Sequence, residues 1–178
     1  REKFDQKKFL ESAKLISHRG PDEEKFFFNK KINLGFYRLS IIDRSNRGSQ
    51  PMFSMSKNLI IVFNGEIYNA NKLKHKLKEY VFKSNTDTEI LLNLYHKYGV
   101  KCLEQIEGMF SFLIFNKHDN SVFLARDRFG IKPLYIKKEK HQILISSEIK
   151  PILNFSKENK FNKYAFSDFL FKQKMDHK

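Results

Sequence analysis

A run of five apolar residues at positions 59–63 (Leu-Ile-Ile-Val-Phe) is the clearest hydrophobic pattern in the chain, and it leads directly into Asn64, Gly65 and Glu66. An unbroken run of β-branched and aromatic residues is typical of a strand that is buried on both faces. We therefore predict a central strand that delivers polar groups at its end. The alternative for the Asn-Gly dipeptide is the tight turn of a β-hairpin, where this pair is common.

Strand-like patterns also occur on both sides of this run. Apolar segments at 26–28 and 32–37 flank a short polar loop and predict a β-hairpin, and residues 38–43 predict a further strand directly after it. After Gly108, short apolar segments alternate with polar connections at 109–115, 121–125, 134–137 and 142–146. Strands that are adjacent in sequence usually pair antiparallel. Residues 44–57 have the composition of a loop, and we interpret them as a flap over a site.

Helical spacing of apolar residues separates and surrounds these strands. Helices are predicted over residues 1–17, around Leu73 and Leu77, from Thr86 to Gly99, over 148–153 and after Asn162. Either Thr86 or Asp87 can cap the third of these helices. Blocks of antiparallel strands with helices between and outside them predict an α+β sandwich.

The length and composition predict one soluble domain, or one domain plus a tail. The chain has 178 residues, of which 40% are hydrophobic, so it can bury a substantial core, and no apolar run is long enough to cross a bilayer. The single cysteine excludes an internal disulfide framework, and no signal segment opens the chain, so a reducing cytoplasm is the expected compartment. Cys102 lies in a helix-like segment, where a buried packing role is favoured over that of a nucleophile.

The formal net charge of +14 suggests nucleic-acid binding as a function to consider. The lysines are scattered over the chain, however, and the densest set is spaced by two residues, at Lys72, Lys74, Lys76 and Lys78. This spacing divides them between two sides of a helix. A solvated, lysine-rich surface is therefore favoured over a nucleic-acid-binding face.

Several polar positions are candidates for chemistry, and each has a structural alternative. The Asn64 carboxamide and the Gly65 backbone N–H can donate to one oxygen atom, as an oxyanion hole requires. The Arg38 guanidinium can hold a carboxylate through two hydrogen bonds. The plainer interpretation of Arg38 is a surface ion pair with Asp43 or another acid. Asp87 can hold an ammonium group or cap a helix.

Six segments occur in the order seen in glutamine-hydrolysing asparagine synthetases. They are His18–Asp22, Arg38–Asp43, Phe63–Asn69, Asp87–Glu89, Gly108–Phe112 and Leu124–Tyr135. Over about residues 13–153 the chain resembles the class II glutamine amidotransferase domain of that family. The segments His-Arg-Gly-Pro-Asp and Phe-Gly-Ile-Lys-Pro-Leu-Tyr favour this branch over the phosphoribosyl-pyrophosphate and glucosamine-phosphate amidotransferases.

The resemblance implies an N-terminal-nucleophile hydrolase fold of four layers, αββα, with two mainly antiparallel sheets between helices. It implies that Arg38 holds the α-carboxylate of L-glutamine and that Asp87 holds its α-ammonium group. Asn64 and Gly65 would stabilise the oxyanion that forms when the side-chain amide is attacked. The residues expected to line the rest of the pocket are Leu39, Ser40, Ile41, Ile42 and Glu66.

The nucleophile that the resemblance implies is a cysteine at the mature N-terminus, with its own α-amine as base. That residue is not among the 178 given, and Cys102 belongs to a later helix and cannot replace it. The chain as given is therefore expected not to hydrolyse glutamine. Residues 1–153 are expected to be the amidotransferase domain, truncated at its N-terminus, and 154–178 a linker and first helix leading to an absent synthetase domain.

The resemblance implies no cofactor and no metal in the amidotransferase domain, whereas ATP and Mg²⁺ would serve the synthetase domain in activating aspartate. The expected partners are L-glutamine, the synthetase domain of the parent chain and a second copy in a homodimer, with no nucleic acid and no membrane. Two alternatives stay open. One is a non-catalytic glutamine-binding or interaction module, and the other is the amidotransferase part of a synthetase that amidates a carboxylate on a sugar or an antibiotic precursor.

Overall fold

The computed structural model describes residues 4–41, 43, 45–157 and 159–172. Its strands, in chain order, are β1 (Glu23–Phe28), β2 (Asn33–Arg38), β3 (Met52–Phe53), β4 (Leu59–Ile67), β5 (Gly108–Asn116), β6 (Val122–Arg126), β7 (Tyr135–Lys138) and β8 (Ile143–Ser146). Its α-helices are α1 (Gln6–Lys14), α2 (Ala70–His75), α3 (Asp87–Tyr98), α4 (Ile149–Phe155) and α5 (Lys163–Lys172). Within these ranges, no helix has the length and apolar character that a membrane span requires.

Strand β4 lies inside the main sheet, whose antiparallel strands follow the order β3-β4-β5-β6. The register pairs Asn64 with Ser111 and Gly65 with Phe110, so β4 continues through the Asn-Gly dipeptide. The prediction of a central strand is confirmed. The hairpin turn is excluded, because both residues of the dipeptide pair with β5.

Alternate residues of β4 face two different layers. Ile61 and Phe63 pack into the larger core cluster, which also contains Leu91 of α3. Ile60 and Val62 belong to a smaller cluster on the opposite face. Burial on both faces explains why the hydrophobic run in this strand is continuous rather than alternating.

Two hairpins, β1–β2 and β7–β8, cover this opposite face of the main sheet. Phe27, Leu34 and Ile145 pack within the smaller cluster. The neighbouring Phe26 makes an edge contact with the Phe9 ring of α1, at a centroid distance of 6.4 Å, and α1 packs against α4. The order of layers is helix, sheet, sheet, helix, which confirms the predicted α+β sandwich, although the second β layer consists of two separate two-stranded sheets.

The strand predicted directly after β2 is wrong. Arg38 is the last residue of β2, because its partner in the register is Glu23, the residue where β1 begins. Beyond it, the Ser40 N–H donates to the Asp22 carboxylate at 2.7 Å. β2 therefore ends at Arg38, because β1 offers no residue beyond Glu23 with which to continue the pairing. Ile42, which belongs to the same prediction, lies outside the described residues.

The helices begin at the side chains that cap them. At the start of α3, the Thr86 hydroxyl accepts a hydrogen bond from the Glu89 N–H at 3.3 Å, and α3 ends before Gly99. Thr86, and not Asp87, is therefore the cap. At the start of α5, the Asn162 side-chain oxygen accepts from two backbone N–H groups, at 3.1 and 3.0 Å. The helix predictions at these two sites are confirmed.

A polar brace joins the early and late parts of the chain in the outer helical layer. His18 and Arg19, which follow α1, both contact Glu148 Oε1, at 3.0 and 3.3 Å respectively. Glu148 directly precedes α4. The brace therefore fixes the end of α1 against the start of α4.

Candidate functional site

A cavity of about 1270 Å³ lies between the two β layers and extends to the end of β4. Its lining includes every predicted site residue that the structure describes: Arg38, Leu39, Ser40, Ile41, Asn64, Gly65, Glu66 and Asp87. The fold thus brings segments that are distant in sequence to one cavity. In the described part of the chain, no cluster of His, Cys, Asp and Glu is placed to hold a metal ion.

The Asn64 side chain lies on the cavity face of β4, because it continues the alternation of Ile60 and Val62. Its Nδ2 atom is buried and has no hydrogen-bond acceptor among the residues described. Buried N–H groups without a partner are rare in folded proteins, and each needs a specific explanation. A ligand oxygen in the cavity would satisfy this donor.

Gly65 permits a close approach between β4 and β5. A Cβ atom at this position would overlap the Met109 carbonyl oxygen and lie 2.7 Å from the Phe110 Cα atom. Any other residue would push the two strands apart at this point. The glycine is therefore required by the strand pairing, and it also leaves its own backbone N–H uncovered by a side chain.

One edge of β4 carries alternate N–H groups that are held by buried side chains. The Phe63 N–H donates to Gln50 Oε1 at 2.6 Å, and the Ile67 N–H donates to Asp87 Oδ2 at 2.9 Å. Because successive N–H groups of a strand point to alternate edges, the Gly65 N–H lies on this same edge, between the other two. The Gly65 N–H, the second predicted oxyanion donor, therefore lies between two N–H groups, those of Phe63 and Ile67, that are each hydrogen-bonded to a buried side chain.

Arg38 is buried at the end of β2, with 7% of its surface exposed. Its guanidinium donates to the Glu23 carboxylate at 3.2 Å, to the Ser45 carbonyl oxygen at 3.0 Å and to the Asp43 carbonyl oxygen. The surface ion pair considered from the sequence is therefore not formed with Asp43, which contributes its backbone, and the acid partner is Glu23. Two backbone carbonyl oxygens of the loop after β2, those of Asp43 and Ser45, therefore accept hydrogen bonds from the buried Arg38 guanidinium.

The Arg38 guanidinium lies next to the first turn of α3. Gly48 separates the two, since a Cβ atom there would overlap the guanidinium and lie 2.9 Å from the Thr86 methyl group. The same loop is fixed to this turn by the Asp43 carboxylate, which accepts from the Asn85 N–H at 3.2 Å. The Arg38 guanidinium therefore lies on the other side of Gly48 from Thr86, the residue that directly precedes Asp87.

Asp87 is the first residue of α3, and only 6% of its surface is exposed. Burial raises the pKa of its carboxyl group above the ordinary value, while hydrogen bonds from the Ile67 and Thr88 N–H groups act in the opposite direction. A buried carboxylate of this kind is stabilised by a cation brought close to it. An ammonium group bound in the cavity would supply that charge.

Sequence patterns did not identify two residues of this site, Glu23 and Gln50. Glu23 stands in a charged segment at the start of a strand, and its partner Arg38 is fifteen positions away. Gln50 stands in a polar loop, and its partners Phe63 and Thr88 are 13 and 38 positions away. No local signal distinguishes either residue from its polar neighbours, because each acts through contacts formed only in the fold.

Comparison with known proteins agrees with this geometry. The whole chain, residues 1–178, matches the family described as glutamine amidotransferase domain. The chain is 43% identical to asparagine synthetase (glutamine-hydrolyzing) 2 of Bacillus subtilis over 142 residues, which cover 80% of this chain and 19% of that protein. It is 40% identical to asparagine synthetase (glutamine-hydrolyzing) 1 of the same organism over 158 residues, covering 88% and 25%. The chain therefore spans a quarter or less of these relatives.

The fold is similar to that of glutamine phosphoribosylpyrophosphate amidotransferase from B. subtilis, with a TM-score of 0.59 at 24% identity, over 69% of this chain and 29% of that one. This likeness concerns the fold alone, and it agrees with the predicted sandwich of two antiparallel β layers between helices. The chain belongs to the glutamine amidotransferase domain family.

Proposed function

We propose that the chain is the glutaminase part of a glutamine-hydrolysing asparagine synthetase, which releases ammonia from the side-chain amide of L-glutamine. The observation that carries the proposal is the buried Asn64 amide, which has no acceptor among the described residues and shares one cavity with Gly65, Arg38 and Asp87. An oxyanion hole needs donors that are in place before the reaction, and each such donor is worth roughly 3 kcal/mol.

In this proposal, Arg38 holds the α-carboxylate and Asp87 the α-ammonium group of glutamine. The Arg38 guanidinium now donates to Glu23 and to two backbone carbonyl oxygens. A charged carboxylate accepts more strongly than a neutral carbonyl, so the ligand would take over donors from the loop. Leu39–Ile41 and Glu66 would line the remainder of the pocket.

The attacking group in this proposal is not Cys102. Its side chain is fully buried in the core on the α3 side, and burial raises the pKa of its thiol to about 11. The nucleophile is a thiolate in such reactions, and a buried thiol with a raised pKa is inert. We assign the attacking thiolate to a cysteine outside these 178 residues, so this chain contributes binding and oxyanion stabilisation.

We infer that the ammonia is used by a synthetase domain that binds ATP and Mg²⁺ and amidates aspartate, in the cytoplasm. The names of the relatives support aspartate as the acceptor. Residues 1–153 would form the amidotransferase domain, and 154–178 would lead into the synthetase domain. The exposed apolar side chains of α5, including Phe166 and Leu170, suit a contact with that domain.

Calorimetric titration of the 178-residue chain with L-glutamine tests the binding step. We expect saturable binding that survives moderate salt, unlike the binding of phosphates. Arg38→Ala removes the guanidinium, and Arg38→Lys keeps the charge without the planar fork, so both should weaken the affinity by about tenfold or more. Arg47→Ala is the matched control, because Arg47 is an exposed arginine of the same loop, and its affinity should stay within about twofold of the parent.

The proposal fails if the parent chain binds no L-glutamine. It also fails if Arg38→Lys, shown to be folded by circular dichroism, binds L-glutamine as tightly as Arg47→Ala does. Equal affinities would mean that the buried guanidinium stabilises the loop without contacting the ligand.

A further inference from the structure

Gln50 is a buried side chain with 6% of its surface exposed, and among the described residues it forms hydrogen bonds with Phe63 and Thr88, which adjoin the site. Its Oε1 atom accepts from the Phe63 N–H at 2.6 Å, and its Nε2 atom donates to the Phe63 carbonyl at 3.2 Å and to the Thr88 hydroxyl at 3.3 Å. Phe63 directly precedes Asn64, and Thr88 directly follows Asp87. The Gln50 amide therefore bonds to a neighbour of Asn64 and to a neighbour of Asp87.

These hydrogen bonds extend the pairing of β4 beyond the end of β3. The register pairs Met52 with Ile61, so the position opposite Phe63 is that of Gln50. The side-chain amide of Gln50 exchanges both hydrogen bonds with Phe63, which is the pattern of an antiparallel pair. The backbone of Phe63, directly before Asn64, is therefore held by the Gln50 side chain. The same side chain also bonds to Thr88 of α3.

We propose that Gln50 is a positioning residue that sets the spacing between the oxyanion donors of β4 and the ammonium-binding carboxylate of α3. The inference rests on the proposed function. Gln50 acts through Phe63 and Thr88, because its amide is engaged by them. Through Phe63 it fixes Asn64 and Gly65, and through Thr88 it fixes the helix turn that carries Asp87.

A fixed spacing between these groups selects the length of the ligand. The α-ammonium and the side-chain amide of L-glutamine are separated by one methylene more than those of L-asparagine. If both ends are gripped by groups held at a set distance, only one of the two amino acids reaches both, and one methylene is commonly worth about 10- to 200-fold in such pockets. Gln50 is then a determinant of the preference for glutamine.

The test compares the affinities of the 178-residue chain for L-glutamine and L-asparagine by calorimetry. Gln50→Glu keeps the shape but places an oxygen against the Phe63 carbonyl, so it loses the hydrogen bond to that carbonyl, and its contact with Thr88 requires the Thr88 hydroxyl to become the donor. We expect L-glutamine affinity to fall by about tenfold or more, and the glutamine-to-asparagine ratio to fall toward one. In the nuclear magnetic resonance spectrum of the ligand-free variant, the Asn64 side-chain amide and the Gly65 N–H should shift.

Ser54→Ala is the matched control. Ser54 is also a buried polar side chain that holds β4, and its hydroxyl accepts from the Leu59 N–H at 3.1 Å, at the far end of the strand. Its removal should lower the stability of the fold but leave the glutamine-to-asparagine ratio and the Asn64 resonances unchanged. Thr88→Val removes only the link to α3, and it decides the question if Gln50→Glu does not fold. Thr88→Ser keeps the hydroxyl and should restore the ratio.

The inference is overturned if Gln50→Glu, or Thr88→Val in its place, keeps the glutamine-to-asparagine ratio of the parent chain. It is also overturned if Ser54→Ala changes that ratio equally, since the effect would then be one of general stability. If the parent chain binds neither amino acid, the proposed function fails. The positioning role is tested separately by the spectra of the ligand-free chains, and unchanged Asn64 and Gly65 resonances in Gln50→Glu would refute it.

Discussion

The two faces of the main sheet differ in how completely they are packed. On the α3 face, side chains such as Leu91, Leu94 and Phe112 are almost entirely buried and form one large cluster. On the other face, the smaller cluster around Ile60 and Leu113 gives way to a cavity of about 1270 Å³. The strand β4 contributes to both faces, so the difference does not arise from the strand itself.

The comparison shows that the candidate site lies where apolar packing stops. Ile60, Val62 and Asn64 are alternate residues on one face of β4, and only the last of them is polar. A carboxamide on the α3 face would be enclosed by apolar side chains and could not meet a ligand. The closely packed face stabilises the strand, and the open face presents its end to the cavity.

The largest expected effect is a difference between two leucine truncations. Leu91→Ala, on the α3 face, should lower the free energy of unfolding by about 4 kcal/mol, because it leaves a cavity in a closely packed core. Leu124→Ala, on the half-buried cavity side, should cost about 2 kcal/mol or less, because it enlarges an existing space. Denaturant unfolding measures both, and equal losses would contradict the contrast between the faces.

An intermediate effect is expected from the protonation of Asp87, at the boundary between the two faces. Burial raises the pKa of this carboxyl in the free chain, whereas an ammonium ligand favours the carboxylate and lowers the pKa in the complex. Binding therefore releases a proton as the pH falls, and affinity for L-glutamine should drop through the raised pKa, by up to about tenfold per pH unit. Calorimetry across a pH series measures this drop.

Asp87→Asn serves as the control for the pH series. The variant keeps an oxygen for the Ile67 N–H, and it should bind L-glutamine weakly with no dependence on pH in this range. The stability of the ligand-free chain changes with pH in the opposite direction to the affinity. Because the pKa of Asp87 is raised in the folded chain, this carboxyl contributes folding stability at low pH, and that contribution is lost as the pH rises through the raised pKa. Affinity of the parent chain that is constant down to the ordinary carboxyl range would refute the ammonium-binding role.

The smallest effect should be seen at Cys102, inside the packed face. Burial raises the pKa of this thiol to about 11, so almost none of it is thiolate at pH 8. The native chain should react with a thiol reagent far more slowly than the chain in denaturant, and iodoacetamide should leave L-glutamine binding unchanged. Rapid, stoichiometric labelling of the native chain would show that this face is less closed than its burial indicates.

Features that depend on neighbouring residues could be predicted from the sequence. The run that forms β4 and the caps at Thr86 and Asn162 are local patterns with a direct physical cause. The end of β2 could not be predicted, because Arg38 is its last residue only by virtue of where β1 begins. The role of Gln50 was hidden for the same reason. The convergence of Arg38 and Asp87 on one cavity was predicted only through the family resemblance.

The contact of His18 and Arg19 with Glu148 joins positions separated by 130 and 129 residues. On the ribosome, this contact cannot form until nearly the entire described sandwich has emerged. Before that point, α1 has no α4 to pack against, and the Phe9 ring is not yet covered by Phe155 of α4. The outer helical layer is therefore completed only after the strands of the main sheet have been synthesised, and the apolar side chains of α1 are incompletely covered until then.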